Sequence, residues 1–397
     1  MARRLRVLLV ASHPVQYAAP LYRRYEQDER IDVTVAYCSM RGSEVSEDRD
    51  LGVTFAWDVP LLEGYRWIHP PDRSGSALKS VLGSANPGLW AKIREGAFDV
   101  VVCYGYRSAS FWIAAAAARA SGARLMWMTD ATQLAPRGTG PLDRWKSPVK
   151  RLVLPRVFRT GDGVLVPSSR SVAFIASLGV DPSRIFMAPY VVDNEHFERG
   201  AAAADPATVR TRWGLPEDAF VAIFVGKLVK WKRPGDLLDA AARLPEVSVV
   251  FAGDGVLRTQ LERRAACLDM TERVRFLGFV NQSSLPATYR ASDVLVLPSE
   301  FEPFGLVVNE AFASGIPAIA SSACGATGDL VRDNETGFTY PCGDVPALAE
   351  RLGRLASDFG LRDRLADGAR RRISRWGPEQ NAEAFARTLL QLMRLAR

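Results

Sequence analysis

Short apolar runs recur along the chain, each bounded by a polar turn and followed by apolar residues at helical spacing. That alternation predicts buried parallel strands joined by crossover helices. Residues 5–11 (LRVLLVA) and 32–37 (DVTVAY) read as the first two strands, with a helix over Ala18–Glu29 between them. Further strands are predicted at 99–104, 124–128, 163–167 and 185–188, with helices over 111–120 and 171–178. Residues 39–50 read as a charged loop and 70–90 as a mobile loop rich in Pro, Ser and Gly. Residues 189–193 read as the exit from a first domain, and the alanine-rich 198–208 as a surface connection.

A second α/β pattern follows. Strands are predicted at 220–225, 247–252, 274–276, 294–297, 317–321 and 337–340. Helices are predicted over 234–243, 257–268, 284–291, 304–312 and 329–332, and three more close the chain at 345–357, 359–372 and 378–395. The pattern predicts an α/β fold of two doubly wound, Rossmann-like domains: 1–195, 206–375, and a C-terminal helix over 376–397 that packs back on the first. Sheets so arranged would point their carboxyl ends into a shared cleft.

Composition adds bounds. At 397 residues, 48% hydrophobic and 24% charged, the chain has ample material for two cores. No apolar run reaches the roughly 18 residues of a membrane span. The basic start, MARRLRVLLVASHP, resembles a signal peptide, but its apolar run fits a first buried strand better. Five scattered cysteines without CxxC spacing point to reduced thiols and a cytoplasmic setting. A net charge of +7 allows an acidic ligand or an anionic membrane face without demanding either.

Candidate chemistry lies at strand ends, where open α/β sheets bind ligands. The turn Ser12-His13-Pro14-Val15-Gln16-Tyr17 lacks the glycines of a dinucleotide fingerprint, which argues against a nicotinamide or flavin. It offers His13, a site residue or a cap for the next helix. Asp130 ends another strand, as a site residue or a turn aspartate. Asp48-Arg49-Asp50 has the Asp-x-Asp form of some metal sites, but no strand immediately precedes it, and chance is the better account. Arg137, Arg144, Lys146, Lys150, Arg151, Arg156 and Arg159 interleave with apolar residues. They read as a solvated helix face or as a basic amphipathic surface for an anionic membrane.

The second domain is more specific. Lys227 and Lys232 leave a strand end beside Lys230 and Arg233, a setting that suits a pyrophosphate. The stretch Val294–Ser314 (VLVLPSEFEPFGLVVNEAFAS) reads as strand, tight turn and helix. Its backbone N–H groups at Phe304, Gly305 and Leu306 would meet a phosphate at the helix start. Glu302 and Glu310 flank that start. Glu310, placed about two turns into an otherwise core-facing helix, needs a partner or a ligand, and a ribose diol is a natural one. Glu302 would lie near the ligand's far end.

These residues resemble a retaining, bacterial glycosyltransferase of family 4 with the GT-B fold. The Glu-x7-Glu signature stands as Glu302-PFGLVVN-Glu310, followed by AFASGIPAIAS. Gly226-Lys227-Leu228…Lys232, Gly253-Asp254-Gly255 and the base-proximal Gly278-Phe279-Val280 also match, while the first domain resembles a bacterial subgroup through its Ser12–Tyr17 turn. The resemblance implies a nucleotide-sugar donor, with UDP-sugar favoured over GDP-sugar, and neither metal nor other cofactor. It gives Glu310 the ribose, Lys227 and Lys232 the diphosphate, and Glu302 the donor sugar's hydroxyls. Phe279 and Val280 take the base. A glycan, glycolipid or small-molecule acceptor falls to His13 and Asp130. The implied setting is cytoplasmic, with peripheral contact at the inner membrane face and no nucleic acid. Three departures stand out: Lys227 replaces the usual arginine, the first turn lacks the family's glycine pair, and Asp130 stands where many members carry histidine. A sugar-nucleotide epimerase or hydrolase on the same frame, and a non-catalytic membrane- or polyanion-binding protein, remain as alternatives.

Overall fold

The computed structural model describes residues 3–43, 46–48, 53–73, 83–133 and 141–394, without the side chains of 46–48, 53–55 and 141–147. The chain forms two compact units. The first comprises Met1–Glu44, Pro60–Tyr190 and Pro378–Arg397, and the second Val45–Val59 and Val191–Gly377. The Asp48-Arg49-Asp50 side chains and Arg137 lie outside the described residues, as do the side chains of Arg144 and Lys146.

From the amino terminus run β1 (Leu5–Ala11), α1 (Ala18–Glu26), β2 (Ile31–Tyr37), β3 (Ser46–Asp48), β4 (Val53–Phe55), β5 (Trp67–Ile68) and α2 (Gly88–Glu95). Then come β6 (Val100–Tyr104), α3 (Ala109–Ser121), β7 (Arg124–Met128), α4 (Pro141–Arg159), β8 (Gly163–Val166), α5 (Ser169–Ser177) and β9 (Ile185–Met187). Seven of these strands form one parallel sheet in the order β5-β2-β1-β6-β7-β8-β9. Alternate side chains of β1 serve opposite faces: Leu8 and Val10 pack towards α2 and α3, while Val7, Leu9 and Ala11 pack towards α1. Helices covering both faces explain why the strands are apolar almost throughout.

The second unit contains α6 (Asn194–Ala202), α7 (Pro206–Arg212), β10 (Phe220–Val225), α8 (Pro234–Ala241), β11 (Val247–Ala252), α9 (Arg258–Cys267), β12 (Val274–Gly278) and α10 (Leu285–Arg290). It continues with β13 (Val294–Leu297), α11 (Val307–Ala313), β14 (Ala318–Ser321), β15 (Gly337–Tyr340), α12 (Val345–Ser357) and α13 (Phe359–Ile373). Its parallel sheet runs β12-β11-β10-β13-β14-β15. Strand order therefore reverses between β10 and β13, and in the first sheet between β1 and β6. At such points adjacent loops part and open a crevice at the carboxyl ends.

The two sheets are the doubly wound α/β pair the sequence predicts. Several local readings differ. The charged 39–50 loop runs into a two-stranded hairpin of β3 and β4, and the 70–90 loop already begins α2. The supposed surface connection at 198–208 holds the end of α6 and the start of α7. Asp193 caps α6 by accepting from the His196 N–H, and Asp205 caps α7 by accepting from Ala207 and Thr208, with Pro206 in the first turn. These are ordinary start signals, masked by the alanine-rich composition. Residues 329–332 form turns, not a helix, with the Gly328 N–H bonded to the Val331 carbonyl.

The last helix, α14 (Pro378–Arg394), belongs with the first unit. Phe385 stacks on Tyr25 of α1 with ring centroids 4.5 Å apart. Asn381 accepts from the Tyr25 hydroxyl at 2.7 Å and donates to the Pro189 carbonyl at 2.5 Å. Arg30–Glu383 and Arg24–Glu379 pairs flank this seam. Phe385→Ala is expected to lower the first unit's stability by about 3–5 kcal/mol, measured by urea unfolding.

Candidate functional site in the second unit

The loop leaving β10 is held backbone to backbone. Gly226 donates to the Ala252 carbonyl at 3.0 Å, Leu228 to the Asp254 carbonyl at 2.8 Å, and Leu257 to the Leu228 carbonyl at 3.0 Å. The Gly253-Asp254-Gly255 turn thus lies directly on Gly226-Lys227-Leu228. A Cβ on Gly253 would stand 1.9 Å from the Gly226 carbonyl oxygen, so only glycine fits. This fixes where Lys227, half-buried, and Lys232 depart from the strand. Arg233 turns away: its guanidinium bonds Asp236 at 2.7 and 3.1 Å.

The loop leaving β13 is fixed from the other side. Glu302 and Phe304 carbonyls accept from the Gly325 and Ala326 N–H groups at 2.9 and 2.7 Å. Gly305 takes φ +100, and a Cβ there would press on Leu297 and Cys324 at 2.9 and 3.1 Å. Phe304 packs inward, stacked on Trp376 at 6.4 Å. Its backbone, with those of Gly305 and Leu306, leads into α11. That helix starts at Val307, three residues later than the spacing suggests, so Glu310 stands in its first turn rather than two turns in.

The two loops meet through a salt bridge. Lys232 Nζ donates to Glu302 Oε2 at 2.6 Å, both side chains largely buried. Glu310 is 6% exposed, and its Oε2 accepts from the Tyr289 hydroxyl on α10 at 2.7 Å. Burial pushes the Glu310 carboxyl up to about 7, against the Tyr289 hydrogen bond and the Lys232 charge, which pull it down. Tyr289 in turn is held well above the ordinary phenol range, first by burial and then by the carboxylate. Tyr289 is a partner that sequence reading misses, because a buried helix tyrosine looks like core. Glu300, two residues before Glu302, is exposed, with Arg233 at 3.9 Å.

Phe279 and Val280 follow β12, half-buried. The remaining sequence candidates lie in the first unit, at the carboxyl ends of β1 and β7. His13 does not cap α1: Tyr17 occupies that position without a side-chain bond, and His13 Nδ1 pairs with the Ser12 hydroxyl at 2.9 Å. Burial, then the charge of Arg41, lowers the His13 pKa and favours the neutral imidazole. Asp130 lies near Tyr17 and Tyr190, whose rings are 6.0 Å apart. Burial and then that carboxylate push the Tyr17 phenol up to about 12, and Tyr190 well above its usual range. Among the described residues, no group of three or more His, Cys, Asp or Glu could hold a metal ion.

Residues 206–372 match the family of glycosyl transferases group 1, and residues 12–190 match the glycosyl transferase 4-like domain. A D-inositol 3-phosphate glycosyltransferase of Salinispora arenicola is 40% identical over 206 residues, 48% of this chain and 46% of that protein. Its counterpart in Streptomyces bingchenggensis is 31% identical over 323 residues, 77% of this chain and 70% of that protein. The match thus spans about half the length of the Salinispora relative. Among solved structures, Anabaena HepE in complex with UDP and glucose has a TM-score of 0.73 at 18% identity, covering 98% of this chain and 100% of that one. A glycosyltransferase from Rickettsia africae has a TM-score of 0.76 at 14% identity, covering 99% and 100%. At these identities the structures speak to the fold.

The Glu310 shift sets a pH test. A carboxyl with an ordinary value near 4.5 and a folded value of about 7 takes up a proton on folding between those limits. Its contribution to stability is therefore greatest at low pH and declines as pH rises through that window. Glu310→Gln, neutral in both states, is expected to lose less stability than the wild type between pH 5 and 8. The difference would be on the order of 3 kcal/mol at most, read from urea unfolding at each pH.

Proposed function

This chain belongs to the group 1 glycosyl transferases, and on that premise we propose that it transfers a sugar from a nucleoside-diphosphate donor to an acceptor hydroxyl. The observation that supports this best is the meeting of Lys232, Glu302 and the Tyr289-held Glu310 where the strand order reverses. Lys227 and Lys232 neutralise the diphosphate, aided by the backbone N–H groups at Phe304, Gly305 and Leu306. Glu310 and Tyr289 bind the ribose hydroxyls. Glu302, fixed by Lys232, accepts from the donor sugar's hydroxyls. Phe279 and Val280 meet the base.

The acceptor hydroxyl attacks the anomeric carbon as the bond to the diphosphate breaks. The acceptor's proton passes to the departing phosphate, and the anomeric configuration is retained. No metal is required, because the lysines carry the leaving group's charge. His13, as a neutral imidazole, and Asp130 serve the acceptor side. A UDP-sugar is favoured over a GDP-sugar. Bacterial glycan or glycolipid synthesis is the process we assign. The inositol phosphate acceptor named for the relatives is the competing small-molecule choice.

Two further readings have specific handles. An epimerase or hydrolase would consume the donor without an acceptor. Membrane contact is supported by α4, where Val149, Leu152 and Val153 are 56%, 62% and 45% exposed beside Lys150, Arg151 and Arg156, while Leu154, Val157 and Phe158 face the core. A surface so mixed suits the inner, anionic face of a membrane. Among the described residues, no helix is long and apolar enough to cross one.

Donor use is tested by incubating UDP-glucose, UDP-galactose and GDP-mannose with and without an acceptor panel and measuring nucleoside diphosphate release. Acceptor-dependent release is expected; rapid epimer formation without acceptor would defeat the transferase assignment. Glu302→Gln is expected to lower kcat by about 10²–10³, and Glu310→Ala to raise the donor KM with a smaller change in kcat. In liposome flotation, the wild type is expected to float with phosphatidylglycerol vesicles but not with pure phosphatidylcholine. Leu152→Asp should abolish that preference.

A further inference from the structure

Between β2 and β5 the chain leaves the first unit, and Val45–Val59 groups with the second. The described end of this excursion, Ala56-Trp57-Asp58, is fastened to the loop after β12. Asn281 Nδ2 donates to the Ala56 carbonyl at 2.7 Å. The Ser283 N–H donates to both carboxylate oxygens of Asp58 at 3.2 Å, and the Ser283 hydroxyl donates to the same carboxylate. The Asp58 N–H reaches Asn281 Oδ1 at 3.5 Å. Between these ties the Trp57 indole meets the Phe279 ring, with centroids 5.9 Å apart and planes inclined at 63°. Both rings remain half-exposed.

A surface segment loses conformational entropy when it is ordered, so these ties oppose a real cost. What they hold in place is an indole at the rim of a loop, not one buried in a core. Two rings at a steep angle form a corner in which a flat heteroaromatic ligand can lie on one face and meet the other with its edge. Two of the loop's polar side chains are committed elsewhere: the Asn281 amide to Ala56 and the Gln282 N–H, the Ser283 hydroxyl to Asp58. The corner therefore recognises faces more than hydrogen-bonding edges. The loop also runs directly into α10, whose Tyr289 holds Glu310. On the donor reading, a base attached to a ribose at Glu310 would extend towards this loop.

We propose that Trp57 is a nucleobase-binding residue of the donor site, with Asp58 and Asn281 as positioning residues that hold it against Phe279. The inference rests on the donor reading above. Because the contact is with the base's face, it adds affinity for uracil, guanine and adenine nucleotides alike.

Isothermal titration with UDP, GDP, ADP and inorganic pyrophosphate tests it on the wild type, Trp57→Ala, Trp57→Phe and Asp58→Ala. Trp57→Ala is expected to weaken all three nucleotides by about tenfold, the scale of losing one base stack, and to leave pyrophosphate binding unchanged. Trp57→Phe should recover most of the affinity. Asp58→Ala should weaken the nucleotides less than Trp57→Ala, again sparing pyrophosphate. Unchanged nucleotide affinity in Trp57→Ala, or an equal loss for pyrophosphate, overturns the assignment of Trp57 while leaving the donor site standing. Failure of the wild type to bind any of the nucleotides removes the donor reading and this inference together.

Discussion

One lysine answers two carboxylates. Lys232 bonds Glu302 directly and acts through space on Glu310, and the arrangement of the β10 and β13 loops follows from that demand. A carboxylate as buried as Glu310 is costly unless its charge is balanced or lost. Here both routes are used: Tyr289 and Lys232 favour the anion, burial favours the acid, and the balance falls at about 7. Near neutrality the group is therefore present in both forms. The anion can accept from two hydroxyls and the acid can donate to one oxygen. On the proposed donor reading, a partly neutral Glu310 would lessen repulsion of an incoming diphosphate.

Such a balance works only if the loops do not drift. Three backbone hydrogen bonds join the loop after β10 to residues 252–257 around the Gly253-Asp254-Gly255 turn, and two more bind residues 302–304 to Gly325 and Ala326. Backbone ties have little rotamer freedom to lose, so they fix the lysine and the carboxylates more firmly than long side chains could. The glycines follow from this. Gly253 lies where the Gly226 carbonyl would meet any Cβ, and Gly305 takes a positive φ against Leu297 and Cys324. Substitution at either position would move the chemistry, not only weaken the fold.

Much of this was legible in the residues. Continuous apolar runs marked the parallel strands because both sheet faces are covered, and the carboxyl-end rule located Lys227, Lys232, Glu302 and Glu310 without coordinates. Short elements escaped: β3, β4 and β5 are two or three residues long, too short for any period to register. The caps at Asp193 and Asp205 were present in sequence but overshadowed by alanines. Tyr289 and Trp57 were missed for another reason. Their importance comes from partners 21 and more than 200 positions away, Glu310 and the Phe279–Ser283 loop, and no local spacing encodes such pairings.

The first unit raises a different problem, since its candidates share no compact signature. What joins them is protonation state. Asp130 lies beside phenols that it helps to keep protonated: Tyr17 is pushed up to about 12 and Tyr190 well above its usual range. His13 is drawn the other way, towards the neutral imidazole, by burial and Arg41. The two phenols therefore stay hydroxyl donors, while His13 is drawn towards an uncharged ring nitrogen. On the proposed reading, phenols held protonated can donate to an acceptor's oxygen without titrating near neutrality.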